Sequence, residues 1–303
     1  MEDGKMKKVS RLFAMTLALT MATNSFACTE DGQEGIVAEN DMYIAPGAKN
    51  AGGISEEAFN AIIDKAEAHY GSIIQAAGGE LSIKRNWTDG TVNAFASRSG
   101  RNWVVQMFGG LARHETITED GFALVVCHEI GHHIGGAPKK GGSGGWWSGG
   151  SSWASNEGQS DYFATLKCLR QLFVNDNNAA ILRSMTIPAA LNDACDKSFT
   201  AQGDRELCVR GAMAGMSVAK LFQALRNATV LPDFTTPDVK VVTRTNDSHP
   251  DYQCRLDTYF QGAQCAMDDA TEVSQTDEKV GTCHPANNDT VGNRPLCWFK
   301  PTL

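Results

Sequence analysis

The stretch "VVCHEIGHHIGG", Val125–Gly136, places three histidines and one glutamate within six residues. On a helix, residues four apart stack on one face, so His128 and His132 point at one place. His133 lies about 140° around the axis from His128 and is a bystander. Glu129 adjoins His128 and stands three before His132, so its carboxylate reaches the rim of the same site. Two imidazoles as ligands and one carboxylate as general base form the signature of a metal-dependent hydrolase. Phe122, Val125, Val126 and Ile130 wrap this helix in apolar side chains, which implies burial. Buried imidazoles need partners, and a metal ion is the simplest one.

Two histidines are not enough for a catalytic zinc, which takes three protein ligands and a water. "NEGQSD", Asn156–Asp161, supplies the third: Glu157 and Asp161 are four apart and share a helix face. Glu157 is expected to bind the metal. Asp161 is expected to accept the outer N–H of a ligand histidine, fixing its tautomer. The expected cofactor is one Zn²⁺ per chain on His128, His132 and Glu157.

Around this centre the chain reads as one exported protein. Its 303 residues, 42% of them hydrophobic, suffice for a full core. A net charge of -8 without a basic run argues against nucleic acid as the main partner. "MKK" at Met6–Lys8, the short apolar run from Leu12 and "SFA" at Ser25–Ala27 read as a signal peptide over residues 1–27. Cys28 then raises a lipid tether, giving a periplasmic, outer-membrane-associated or secreted protein. Cys127, Cys168, Cys195, Cys208, Cys254, Cys265, Cys283 and Cys297 form an even set suited to disulfides. Cys127 and Cys168 either bridge the two metal-bearing helices or lie as two buried thiols. Cys195–Cys208 is the expected local bridge among the other six.

Residues 28–53 are polar and glycine-containing and read as a poorly ordered linker. Ser55 caps an amphipathic helix that ends near Gly78. "GELSIKRNW", "TVNAFASRSG" and "NWVVQMFGG" read as a small antiparallel sheet. Thr116 or Thr118, with Glu119 and Asp120, opens the motif helix. The glycine-serine loop 139–153 carries three tryptophans and is either a connector or a lip over the site. The domain carrying this centre is set at 54–245, with a cysteine-rich segment 246–303 completing it.

His-Glu-x-x-His followed by Glu-x-x-x-Asp resembles the gluzincins, and "NEGQSDYF" is similar to the thermolysin-like segment. Asn93-Ala94-Phe95 before the motif helix and "SHPDYQCR", Ser248–Arg255, after it resemble the CAAX prenyl protease and HtpX family. The resemblance covers roughly residues 85 to 260. It implies an α+β zincin-like fold whose edge strand receives an extended peptide, and a zinc metalloendopeptidase with Glu129 as general base. It also places His249 near the metal, as an oxyanion donor or as a plug in the fourth coordination position. Two alternatives stand beside this reading: a metal-bound chaperone or assembly factor with little proteolysis, and a thermolysin-type secreted protease. The expected partner is a protein or peptide substrate.

Overall fold

The structure, a computed structural model, describes residues 1, 25–26, 35–49, 51–141 and 152–302. The signal peptide, apart from those few residues, lies outside them, as do Cys28 and positions 142–151 of the glycine-tryptophan loop. The described chain is a mixed α and β fold in which helices pack on a small sheet.

Helix α1, Glu56–Ala76, begins where the Ser55 side chain accepts from the Ala58 amide and ends before Gly78, whose φ is 93°. It buries Phe59, Ile63, Ala66, Tyr70 and Ile74, one stripe at helical spacing. The pair Ser25–Phe26 forms strand β1, followed by β2 (Glu80–Asn86), β3 (Ala94–Ser99) and β4 (Asn102–Phe108). The sheet order is β1-β3-β4-β2. Here the expectation of an antiparallel sheet is corrected: β4 lies in the centre, antiparallel to β3 but parallel to β2. The segment after Asn86 carries the chain past the place of β4 to β3, which β1 flanks on its other side, and β4 then returns between β2 and β3. Buried alternation along β4 (Trp103, Val105, Met107) turns one face of the sheet to the core.

That core holds Phe59, Ile63, Ile83, Val105, Met107, Phe122, Val125 and Val126, so α1 and the motif helix share it with the sheet. Ile36, Val37 and Ile44 belong to the same cluster. The reading of 28–53 as a poorly ordered linker is therefore corrected for these positions. A few apolar residues in a polar stretch carry no periodicity, yet each is buried here.

After the short helix α2 (Gly109–Ala112) comes α3, Glu119–Ile134, the motif helix. Thr118 is its cap, accepting from the Gly121 amide, and every residue from Asp120 to His133 is buried. Helix α4, Glu157–Phe163, runs through a π turn, Ala164–Cys168, into α5, Leu169–Phe173. Gly131 lets α4 approach α3 closely: a Cβ there would lie 3.2 Å from the Ser160 Cα. Helices α6 (Asn178–Arg183), α7 (Ala189–Ser198), α8 (Gln202–Leu225) and α9 (Tyr252–Gln264) complete the fold. Arg210 on α8 grips Asp120 at the start of α3 through two bonds of 2.8 and 2.7 Å.

Disulfides pair Cys127–Cys168, Cys195–Cys208, Cys254–Cys297 and Cys265–Cys283. The first joins α3 to the helical run of α4, and the second is the expected local bridge. Four bridges fit an oxidising compartment. Among the described residues, no helix is long and apolar enough to cross a membrane.

Candidate metal centre

His128 and His132 lie one turn apart on α3, and Glu157 opens α4 directly against them. Asn156 caps α4 by accepting from the Gln159 amide, which fixes where Glu157 enters. One ligand atom from each of His128, His132 and Glu157 lies within 4.8 Å of the others, and all three residues are fully buried. Glu157 Oε2 is 3.3 Å from His128 Nε2, and Oε1 is 3.7 Å from His132 Nε2. Ligands about 2.0–2.1 Å from a tetrahedral zinc stand about 3.4 Å apart, so this spacing suits such an ion.

The outer nitrogens of both imidazoles are engaged. His128 Nδ1 lies 2.7 Å from Asp161 Oδ1. His132 Nδ1 lies 2.9 Å from the Ser155 carbonyl and 3.0 Å from Ser160 Oγ. A proton on Nδ1 of each ring leaves Nε2 for a metal. Without one, the pull of burial on the His128 imidazole is outweighed by Asp161 and Glu157, which raise it to about 9. Asp161 is itself fixed: Arg255 donates to its two oxygens at 2.8 Å each, and Tyr259 Oη donates at 2.7 Å. Burial would raise the Asp161 carboxyl, but Arg255 and His128 outweigh it and hold the group below its ordinary range.

The test of fit for a metal is the set of atoms left over. His128 Nε2, both oxygens of Glu129 and both oxygens of Glu157 are buried without an aligned hydrogen bond. Each such atom costs about 1–3 kcal/mol unless something meets it. Lys140 Nζ stands 2.8 Å and His249 Nε2 3.1 Å from Glu157, at ion-pair distance rather than in hydrogen-bond alignment. Burial would raise the Glu157 carboxyl, yet His249, Lys140, His132 and His128 together keep it well below its ordinary range. An ionised carboxylate and a His132 imidazole pushed towards neutrality by burial are the forms that bind zinc. The residues fit the ion.

Glu129 has the opposite environment. Burial, opposed by His128, raises its carboxyl to about 8. His133 is set apart, as its angle on the helix predicts. It stacks between Trp103 and Trp153 at 5.4 and 5.0 Å, and burial and Arg98 lower it to about 3.

His249 reaches the rim of the site, donating to the Gly35 carbonyl at 2.8 Å as well as facing Glu157. It is outside the group of three mutually close donors. The roles of Lys140, Arg255 and Tyr259 escaped the sequence reading. Arg255 stands within the quoted "SHPDYQCR", but nothing local ties it or Tyr259 to Asp161, about a hundred residues earlier. Only the placement of Arg255 six residues after His249, on α9, carries any signal. Comparison with protein-family models, with curated proteins and with solved structures finds no match to this chain.

Proposed function

We propose that the protein is an exported zinc metalloendopeptidase of zincin-like fold, acting on envelope or secreted proteins. The observation that carries this reading is Glu129: a buried carboxylate with no hydrogen-bond partner, beside three donors at zinc-ligand spacing. A module that only binds metal has no use for such a group. The resemblance of the strand, motif helix and His-Pro segment to the CAAX prenyl protease and HtpX family points the same way.

His128, His132 and Glu157 would hold the ion. Zinc, when bound, acidifies a water and polarises a peptide carbonyl. Glu129 takes the proton of that water and delivers it to the leaving nitrogen, a task suited to a carboxyl raised towards neutral pH. Asp161 and the Ser155 carbonyl keep both imidazoles in the ligating tautomer. His249 donates to the carbonyl oxygen as charge develops on it. An extended peptide would pair with β3 in place of β1 and the Ile36 segment, which lie along its outer side here.

Glu129→Gln tests the reading. The variant should keep its fold and its zinc and lose about 10²–10⁴ in peptide hydrolysis. Undiminished hydrolysis of casein by the variant would overturn the mechanism.

A further inference from the structure

Three consecutive residues of the N-terminal segment are held through their backbone, by His249 and Arg255 beside the metal centre and by Asn93 and Ala94 at the start of β3. The Gly35 carbonyl accepts from His249 Nε2 at 2.8 Å. The Ile36 amide donates to the Ala94 carbonyl on β3 at 3.0 Å, and the Ile36 carbonyl accepts from Arg255 at 2.6 Å. The Val37 amide and carbonyl both meet the Asn93 side chain, each at 3.3 Å. The alignment continues as an antiparallel bridge between Tyr43 and Thr91. Ile36 is fully buried and Val37 is 5% exposed.

The chain thus docks on the start of its own strand β3 through one main-chain bond, with His249, Arg255 and Asn93 side chains holding the rest of the backbone. This docking demands glycine at position 35, where a Cβ would stand 2.0 Å from the Ala94 carbonyl oxygen and 2.2 Å from Asn93 Oδ1. It also fixes which peptide bond is presented. His249 bridges the Gly35 oxygen and Glu157, so the Gly35 carbonyl faces the metal centre and the following Ile36 amide is pinned to β3. A strand serving only to block the site has no need of its carbonyl on the oxyanion donor.

We propose that the protein hydrolyses its own Gly35–Ile36 bond. The inference rests on the peptidase reading above. Water supplies hydroxide to the Gly35 carbonyl carbon, the C–N bond breaks, and the Ile36 nitrogen leaves with a proton passed on by Glu129. No electrons change hands. The cut removes everything before Ile36 and leaves Ile36, Val37 and Ile44 in the core. Substrates in trans then compete with Ile36 and Val37 for the β3 edge.

The test uses the full chain purified without zinc and then given zinc, read by intact mass and N-terminal sequencing. Wild type should convert to a species beginning at Ile36, and Glu129→Gln should not. Gly35→Val should lose the cut while binding the same amount of zinc. A readout independent of turnover is hydrogen exchange in zinc-free Glu129→Gln, where the Ile36 and Val37 amides should exchange slowly and Gly35→Val should release both. Wild type that hydrolyses casein but keeps its Gly35–Ile36 bond overturns the proposal and leaves the peptidase reading standing. Hydrolysis of neither overturns both. Fast exchange at Ile36 and Val37, or an undiminished cut in Gly35→Val, also overturns the proposal.

Discussion

His128 Nδ1 and Asp161 Oδ1 are 2.7 Å apart, and this bond decides which nitrogen of the ring is left for a metal. Asparagine at 161 retains a carbonyl acceptor but no charge. Asp161→Asn should therefore weaken zinc binding by about 10–100-fold, measured by competition with a chromogenic chelator. Because Arg255 loses its buried counter-charge, the same variant should also lose about 3–5 kcal/mol of stability. Unchanged zinc affinity would remove Asp161 from the centre's support.

In the proposed mechanism His249 acts on the carbonyl oxygen and leaves the metal to the other three donors. His249→Ala should keep its zinc and lose about 10²–10³ in kcat, the usual cost of one oxyanion donor. A rise in basal activity would instead make His249 a plug. Steady-state kinetics beside elemental analysis separates the two.

The Cys127–Cys168 bridge ties the helix of both histidine ligands to the helical run that begins at Glu157. Replacing both cysteines by alanine should cost about 2–4 kcal/mol in denaturant unfolding. Zinc affinity should fall with it, since α3 and α4 are then less firmly held together. Alkylation of Cys127 in the untreated protein would show that the bridge is not formed.

Much of this was legible where the signal is local. The motif helix, a threonine cap at 116 or 118, the α1 stripe and the three main strand segments follow from periodicity and capping residues. Glu157 and Asp161 follow from one spacing of four. What escaped is long-range. Period-two alternation marks β2, β3 and β4 as strands but does not say that β4 lies between the other two. Ile36, Val37 and Ile44 stand in a polar stretch with no pattern, and their burial comes from docking on residues some fifty positions later. Arg255 and Tyr259 meet Asp161 only because α9 packs against α4.

The central claim is that His128, His132 and Glu157 together hold one zinc. Its most direct test is elemental analysis of the purified chain and of three single variants, after exchange against a weak chelator. Wild type and His133→Ala should carry one zinc per chain, while His132→Ala and Glu157→Ala carry little or none. Full zinc occupancy in Glu157→Ala would contradict the account.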